Sequence, residues 1–392
     1  MKHCYAYAVA LLCISPIFAE ERSPKLSHYS SEDLYMLGKN KRMEGDYKKA
    51  LPYFRAALAQ DPQHRKAHIE LATSYLACEN YVRGFDLLDS YVSSSIPTDK
   101  LWRGQNLENK RILVYTSQWG IGDDIMFSRY LRCLKEMGAH VGLVVPNDLQ
   151  KLFSFNIHVD SIQIENLTVN IEADEIYFSN NIALLRREIS GYDYYTHLMS
   201  LPKLCKIRKS DIPSEFYFSV NAQLYDKYAA VCRHDKNLKV GLCWRGAERH
   251  DKQLQQRSIN FEYLKPLLQC KDITFYCLQQ GDALKELCDA PEASIMRIFD
   301  DFDQESGSFM DTAALMRNLD LVITVDTSIA HLAGALGIKT WVMIPYAADW
   351  RYAAHSTTCP WYPTMRVFKQ KTAGDWNSVV KDVIKELGTF VS

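Results

Sequence analysis

The sequence predicts an α/β protein in which two doubly wound halves face one cleft, with an α-helical segment in front of them. Three observations predict this architecture. Residues 320–350 read as strand, helix and strand in close succession, residues 111–145 show the same order, and residues 31–95 carry helical periodicity. Strands that alternate with helices are typical of parallel sheets, whose ligand sites lie at the carboxyl ends of the strands.

Size and composition indicate a folded protein of several domains. The chain has 392 residues, of which 47% are hydrophobic, and its formal net charge is −1. This length fits about two or three domains, and a nearly neutral chain gives no electrostatic case for binding nucleic acid or an anionic membrane. The eleven cysteines are an odd number and include no CxxC pair. They favour reduced thiols over a disulfide framework or a zinc site.

The first residues have the pattern of a signal peptide. Lys2 and His3 precede an apolar run from Cys4 to Phe18, and Ala19 stands before two glutamates. We therefore exclude residues 1–19 from the fold as an expected targeting segment. An uncleaved anchor is the alternative, although the run is short for a bilayer span.

Residues 31–95 predict two helical hairpins that resemble tetratricopeptide repeats, whose period is about 34 residues. The spacing is carried by Leu37, Gly38, Ala50, Phe54, Ala57 and Pro62 in the first repeat and by Leu71, Ala72, Tyr75, Gly84, Leu88 and Tyr91 in the second. Two repeats bury little surface alone, so we expect them to pack on a neighbour. They are either a helical cap or an arm that binds an acceptor or a partner, and both interpretations stay open.

The first α/β half is predicted to span residues 110–235, beyond a serine-rich linker at 93–97. An apolar strand at 111–117 leads to a helix at 124–137 and a second strand at 141–145. This order predicts one βαβ unit, and weaker alternation of strands and helices continues beyond it.

The turn after the first strand contains Gly120, Gly122 and Asp123. The two glycines allow the backbone to turn tightly and to approach a ligand. They do not complete GxGxxG, which disfavours a dinucleotide-binding dehydrogenase. Asp123 is either a helix N-cap or a general base that faces the cleft.

The second half is predicted to span residues 236–392 with a C-terminal helix. Strands are expected at 240–244, 273–279, 295–299, 321–325, 340–344 and 365–368, and helices at 261–269, 283–288, 311–317, 329–336 and 376–387. The residues with the strongest chemical signal follow the strands at 240–244 and 321–325.

The polar loop after Trp244 favours binding of an anion. Its basic side chains are Arg245, Arg249, His250, Lys252 and Arg257, the last followed by Ser258. Arginine offers a planar fork that fits phosphate, and solvated loop charge is the alternative.

Asp326, Thr327 and Ser328 stand where a helix begins, a place at which free backbone N–H groups attract phosphate. Asp326 could cap this helix or orient an arginine or a ribose. His331 follows one turn later and faces either the same ligand or the core.

The segment Asp301-Phe302-Asp303 could suggest a divalent metal, but a solvated acidic loop is favoured. No cluster of histidine, cysteine and carboxylate residues elsewhere has metal-ligand spacing.

Four blocks of the sequence resemble the heptosyltransferase-like GT-B glycosyltransferases, in the branch that carries N-terminal tetratricopeptide repeats. They read WGIGDDIMFSRYL, GLCWRGAERHDKQLQQRSI, VITVDTSIAHLAGALG and VMIPYAADWRY with HSTTCPWYPTMRVF. The match covers residues 110–385, and the last two blocks are the most specific. The resemblance implies two Rossmann-like domains, the first for the acceptor and the second for the nucleotide sugar.

The resemblance also implies roles for individual residues. The DTSIAH block resembles a D-T-x-x-x-H phosphate motif, so Thr327, Ser328 and His331 would bind the donor diphosphate, and Arg257 would be a basic contact. Asp123 would be the catalytic base. The expected nucleotide-sugar site as a whole comprises Gly122, Trp244, Arg245, Arg257, Ser258, Asp326, Thr327, Ser328 and His331.

The expected function is transfer of a sugar from a nucleotide sugar to a glycan, a lipopolysaccharide-type or a protein acceptor, with inversion and without a metal. No cofactor is expected beyond the nucleotide sugar as co-substrate, and the repeats could bind a protein partner. Neither nucleic acid nor a membrane span is expected. A protein O-glycosyltransferase and a silent scaffold stay open. The signal-like N-terminus suggests export, whereas nucleotide-sugar use and the odd number of cysteines favour the cytoplasm.

Overall fold

The computed structural model describes residues 28–93, 99–116, 120–165, 191–246, 256–288, 291–352 and 357–391. The expected targeting segment at residues 1–19 lies outside these ranges. So do Arg249, His250 and Lys252 of the predicted basic loop.

Four helices form the N-terminal segment, as the repeat spacing predicts. They are α1 (Ser31–Met43), α2 (Tyr47–Gln60), α3 (Arg65–Ala77) and α4 (Tyr81–Ser93). A capping box starts α1, because the Ser30 hydroxyl accepts from the Asp33 amide and the Asp33 carboxylate accepts from the Ser30 amide, each at 3.1 Å. At Gly38 an added Cβ would lie 2.6 Å from the Phe54 ring, so only glycine lets these helices approach so closely.

The first sheet is parallel and has four strands in the order β3-β2-β1-β4. The strands are β1 (Arg111–Tyr115), β2 (His140–Pro146), β3 (Ser161–Glu165) and β4 (Tyr194–His197). The helices of this half are α5 (Ile121–Phe127), α6 (Leu131–Glu136), α7 (Gln150–Phe153), α8 (Leu201–Leu204) and α9 (Ala222–Cys232).

The helix predicted at 124–137 is broken into α5 and α6 by a 3-10 turn at Ser128–Tyr130. Side chains of the turn form hydrogen bonds with backbone carbonyls of α5. The Ser128 hydroxyl donates to the Ile125 carbonyl at 2.8 Å, and Arg129 Nε donates to the Met126 carbonyl at 2.9 Å. Such bonds back to the preceding turn offer the backbone an alternative to the regular helix.

The second sheet has seven strands in the order β10-β11-β9-β8-β5-β6-β7, and only the β10–β11 pair among them is antiparallel. The strands are β5 (Leu238–Cys243), β6 (Ile273–Cys277), β7 (Met296–Arg297), β8 (Leu321–Val325), β9 (Thr340–Ile344), β10 (Thr358–Cys359) and β11 (Tyr362–Lys369). The helices are α10 (Lys265–Leu268), α11 (Ala283–Cys288), α12 (Met310–Met316), α13 (Ser328–Ala335) and α14 (Trp376–Val391).

The predicted α/β class with a helical N-terminal segment is confirmed, and the differences from prediction are local. The strand expected at 295–299 is only two residues long because β7 lies at the sheet edge and pairs on one side. The helix expected at 261–269 begins as a 3-10 turn before α10. Helix α9 was not predicted, although Asn221 caps it by accepting from the Leu224 amide at 3.0 Å.

The repeats pack on the rest of the chain. The rings of Tyr81 and Phe85 in α4 meet Trp361 edge-on, with centroids 5.7 and 6.5 Å apart. In α2 the Tyr47 hydroxyl donates to the Ala348 carbonyl. One continuous hydrophobic cluster therefore runs from the repeats through the first half to α13.

None of the described helices combines the length and the apolar character that a membrane crossing requires. Within the described residues no group of three or more histidine, cysteine and acidic side chains is arranged to hold a metal ion. The eight cysteines that the structure describes with their side chains are free thiols.

Candidate active site

A cleft of about 690 Å³ opens where the two halves meet. Its walls come from the segments that follow β1, β5, β6, β8 and β9. These are carboxyl ends of parallel strands, which is where open α/β sheets place their ligands. The first wall consists of the start of α5 with Asp123 and the loop after β9 with Asp349 and Arg351, and the second wall consists of Arg245, Arg257 and the start of α13. Helices α5 and α13 pack against each other where the two halves meet.

Helix α13 presents its N-terminus to the cleft. Thr327 is the N-cap residue in extended conformation, and its side chain makes no capping bond. Instead, its hydroxyl lies 3.4 Å from that of Thr324. The first N–H groups of a helix have no intrahelical acceptors, so the segment Thr327–Ile329, which lines the cleft, is suited to an anion.

Gly122 sets the distance between α5 and α13. A Cβ added there would lie 2.7 Å from His331 Cδ2 and 3.6 Å from Ser328 Cα. The residue lines the cleft as predicted, and its lack of a side chain allows the two helices to touch.

Asp123 faces the cleft and does not cap α5. The N-cap residue of α5 is Gly120, which has no side chain to cap the helix, and Asp123 lies within the first turn. The Asp123 carboxylate is instead paired with the guanidinium of Arg351. The capping interpretation of Asp123 is therefore wrong.

Arg351 was not predicted as a site residue, although it belongs to one of the quoted blocks. Its Nη1 donates to Asp349 at 2.6 Å, and its guanidinium lies 4.5 Å from the Trp350 ring centroid. Burial lowers the pKa of Arg351, but Asp349, Asp123 and Asp326 more than offset this and raise it above its ordinary value. Arg351 is therefore a permanent cation between the carboxylates of this wall.

The two predicted arginines of the other wall differ in their partners. Arg245 is ion-paired with Glu286 of α11. Arg257 makes no hydrogen bond or ion pair with any residue that the structure describes, and its Nε is buried without a partner. Its guanidinium packs beside Gly246, where an added Cβ would lie 3.1 Å from Nη2. Arg257 therefore has donors available for a ligand.

Asp326 does not cap α13 either. Its carboxylate accepts from the Tyr352 hydroxyl at 3.1 Å. Burial and the neighbouring Asp349 raise the pKa of Asp326, against the opposing effect of Arg257 and Arg351. Asp326 therefore lies within the electrostatic influence of two arginines, and its role in orienting an arginine or a ribose stays a prediction.

His331 is both buried and at the cleft. It is only 5% exposed, yet it lines the cavity. Its Nδ1 lies 3.1 Å from the Tyr362 hydroxyl. Burial, together with the charges of Arg351, Arg129 and Arg257, lowers the pKa of His331 well below its ordinary value. The imidazole is therefore neutral at physiological pH.

Two predicted contacts need correction. Trp244 is fully buried against Phe261, with ring centroids 5.0 Å apart, because successive side chains of an extended segment alternate between faces and Cys243 takes the cleft side. The Ser258 hydroxyl accepts from the Gly246 amide at 3.3 Å and does not line the cleft. Both residues therefore stabilise the loop without lining the cleft.

The acidic segment near residue 301 is structural. Asp303 accepts from the amides of Asp311 and Thr312 at 2.6 and 3.0 Å, while its own amide donates to Asp311 at 3.1 Å. These bonds tie the preceding loop to the start of α12. The expectation of a solvated loop is wrong for Asp303, since burial raises its pKa.

Comparison with known proteins agrees with this architecture. The model of a tetratricopeptide repeat family matches residues 42–92. The crystal structure of the glycosyl transferase family 9 protein from Veillonella parvula DSM 2008 superposes on 74% of this chain and 99% of its own, with a TM-score of 0.54 and 13% identity. This superposition decides the fold. The chain has a GT-B fold.

Two further proteins are similar to this chain. The ADP-heptose lipopolysaccharide heptosyltransferase II of Escherichia coli covers 72% of this chain and 98% of its own, with a TM-score of 0.49 and 14% identity. Protein FlbA of Caulobacter vibrioides is 26% identical over 341 residues, which are 82% of this chain and 54% of that protein. The chain thus spans about half the length of the curated relative it matches. The repeat-family model and the family 9 structure confirm the predicted combination of tetratricopeptide repeats with a GT-B fold.

Proposed function

We propose that the protein is a glycosyltransferase that moves a sugar from a nucleotide-sugar donor to an acceptor hydroxyl, with inversion and without a metal ion. One observation carries the proposal. Asp123 on one wall, and Arg257 with the start of α13 on the other wall, line the same cleft, and Arg257 forms no hydrogen bond or ion pair with a described residue. The fold shared with a glycosyl transferase family 9 structure is consistent with this assignment.

The second wall would bind the diphosphate of the donor. Arg257 would supply a guanidinium fork, and Thr327 and Ser328 would supply the positive end of α13. Stabilising charge that develops on a leaving group is usually a large part of catalysis. These groups provide positive charge at the diphosphate, so the proposal requires no metal there.

The first wall would activate the acceptor. A carboxylate paired with a guanidinium is stabilised in its ionised form, in which it can accept a proton. Arg351 would hold Asp123 in that form and in one orientation, because its Nη1 is fixed by Asp349. Asp123 would then take the proton of the acceptor hydroxyl, whose oxygen attacks the anomeric carbon while the bond to the diphosphate breaks on the opposite face.

The first experiment is a thermal-shift panel with nucleoside diphosphates and nucleotide sugars. Binding to the folded state raises the melting temperature, so at the same concentration one nucleotide should raise that of the wild type more than that of Arg257→Met. Analysis of the anomeric configuration of the product would follow. A panel without any shift would favour the non-catalytic scaffold, and retention at the anomeric carbon would exclude the inverting mechanism.

A protein acceptor is the second candidate, because the repeats contact a loop that lines the cleft. Tyr47 of α2 donates to the Ala348 carbonyl, and Ala347 and Asp349 on either side of Ala348 line the cavity. Incubation with a radiolabelled nucleotide sugar and a bacterial extract separates the cases. Label in the protein fraction, released by β-elimination, supports protein O-glycosylation. Label confined to the glycolipid fraction excludes it.

A further inference from the structure

Arg129 is a buried cation whose hydrogen-bond partners, within the described part of the chain, are all neutral oxygens. It is 1% exposed. Its Nε donates to the Met126 carbonyl at 2.9 Å, its Nη1 to the carbonyls of Pro213 and Trp361, and its Nη2 to the Tyr217 hydroxyl at 3.3 Å. A guanidinium only donates hydrogen bonds. The direction of the bond to Tyr217 is therefore fixed.

A chain of polar contacts leads from Arg129 to the cleft. The hydroxyls of Tyr217 and Tyr362 lie 3.4 Å apart, and the Tyr362 hydroxyl lies 3.1 Å from His331 Nδ1. The guanidinium also lies over the Tyr362 ring, with 4.4 Å from Cζ to the ring centroid. Tyr217, Tyr362 and His331 are all buried, so their polar hydrogens need partners inside the protein.

Only one direction satisfies every hydrogen in this chain. The Tyr217 oxygen accepts from Arg129, and the Tyr217 hydrogen finds one acceptor among the described residues, which is the Tyr362 oxygen. Tyr362 must then donate to His331 Nδ1. If Nδ1–H donated to the Tyr362 oxygen instead, the hydrogen of either Tyr217 or Tyr362 would be buried without an acceptor among the described residues, at a cost of about 1–3 kcal/mol.

The other ring nitrogen of His331 lies close to Gly122, and both residues line the cleft. A Cβ added at Gly122 would lie 2.7 Å from His331 Cδ2 and 3.5 Å from Nε2, which places this ring edge against the start of α5. No residue that the structure describes forms a hydrogen bond with Nε2. With Nδ1 as an acceptor, a neutral imidazole must carry its proton on Nε2.

We propose that Arg129, Tyr217 and Tyr362 are positioning residues that hold His331 as the neutral Nε2–H tautomer, so that the imidazole offers an N–H donor to an anionic oxygen in the cleft. The identity of that oxygen as a phosphate oxygen of the donor rests on the proposed function. In this state His331 donates a hydrogen bond and does not take part in proton transfer.

The tautomer itself is measured by long-range ¹H–¹⁵N NMR of the full chain at neutral pH, with His331→Gln to assign the resonances. We expect Nδ1 at the shift of an unprotonated nitrogen that accepts a hydrogen bond and Nε2 at that of a protonated one. A proton on Nδ1, or an imidazolium, would overturn the inference whether or not the cleft binds a nucleotide.

Tyr362→Phe tests the chain, because it keeps the ring and removes the hydroxyl. The Nδ1 resonance should move to the shift of a nitrogen without a hydrogen bond, and affinity for inorganic pyrophosphate should fall roughly threefold or more. Tyr130→Phe is the matched control, since the buried Tyr130 hydroxyl has no hydrogen-bond partner in the part of the chain that the structure describes, and it should leave both unchanged.

An unchanged Nδ1 resonance in Tyr362→Phe would refute the chain. If Tyr362→Phe does not fold, Tyr217→Phe replaces it as the test. This variant removes the preceding hydroxyl of the chain and should also move the Nδ1 resonance. Should the wild type show the expected tautomer without binding pyrophosphate, the chain stands and the proposed ligand of the cleft fails.

Discussion

The two walls of the cleft differ in whether their central charged side chain has an ion-pair partner. On the first wall Asp123 is compensated by Arg351, which is itself fixed by Asp349. On the second wall Arg257 has no partner within the described residues, and the start of α13 has no side-chain cap. The ion pair of Asp123 holds this carboxylate ready to orient a reacting group, whereas Arg257 would gain a partner when an anion binds. The difference predicts that damage to the first wall affects turnover or stability, and damage to the second affects affinity.

The largest effect is expected for Asp123→Asn, which removes the proposed base and keeps its shape. Turnover should fall about 10²–10⁴-fold, as for loss of a positioned base, with nucleotide affinity unchanged. Steady-state kinetics and calorimetry measure the two quantities. Asp282→Asn is the control, because Asp282 lines the same cleft but pairs with the exposed Lys285. Wild-type turnover in Asp123→Asn would remove Asp123 from the mechanism.

Arg351→Met should lower the stability of the folded protein by disrupting the first wall. Removing one partner of a largely buried ion pair leaves the other charge uncompensated, so the free energy of unfolding should fall by about 3 kcal/mol. Denaturant unfolding checks this value. Arg366→Met, which removes an exposed pair with Glu386, should cost below about 1 kcal/mol. Equal losses in the two variants would mean that the Arg351 network is no more than a surface contact.

Arg257→Met should weaken nucleotide binding by about 1.5–3 kcal/mol, the range for a hydrogen bond to a charged group. Arg245→Met should weaken it less, since Arg245 already pairs with Glu286. Calorimetry with the nucleotide found in the thermal-shift panel compares the two variants. A larger loss for Arg245→Met would reverse the assignment of the diphosphate contact.

His331 should make stability depend on pH. The unfolded state protonates near the ordinary histidine pKa of about 6.5, whereas burial and three arginines lower the pKa of His331 in the folded state. Stability is therefore lost as pH falls below about 6.5, by up to about 1.4 kcal/mol per pH unit. The free energies of unfolding of wild type and His331→Gln should therefore approach each other as the pH falls from 7 to 5. Parallel curves would show that His331 is not kept neutral by the fold.

The smallest effect is expected at the contact between the repeats and the cleft. Tyr47→Phe removes the hydrogen bond to the Ala348 carbonyl and should cost about 1 kcal/mol of stability. Amide hydrogen exchange should become faster at residues 345–352. Tyr75→Phe is the control within the repeats, because the buried Tyr75 hydroxyl forms no hydrogen bond with a described residue. Unchanged exchange at residues 345–352 in Tyr47→Phe would show that the repeats do not fix this loop.

The second wall could be predicted from the sequence because its signals are local. The apolar run of β8 ends directly before Asp326, and Gly337, with φ +73°, terminates α13 as a glycine with positive φ can. The first wall could be predicted only in part. Asp123 and Arg351 are 228 residues apart, and their pairing arises only where the two halves meet. Trp244 was misassigned because nearness to a basic loop along the chain does not show which face a side chain takes.

The most direct test asks whether the second wall, and not Asp123 of the first, determines nucleotide affinity. It is a calorimetric titration of wild type, Asp123→Asn and Arg257→Met with the same nucleoside diphosphate. We predict equal affinity for wild type and Asp123→Asn, and binding at least about tenfold weaker for Arg257→Met, as loss of one charged hydrogen bond implies. Undiminished affinity in Arg257→Met, or a comparable loss in Asp123→Asn, would contradict the account.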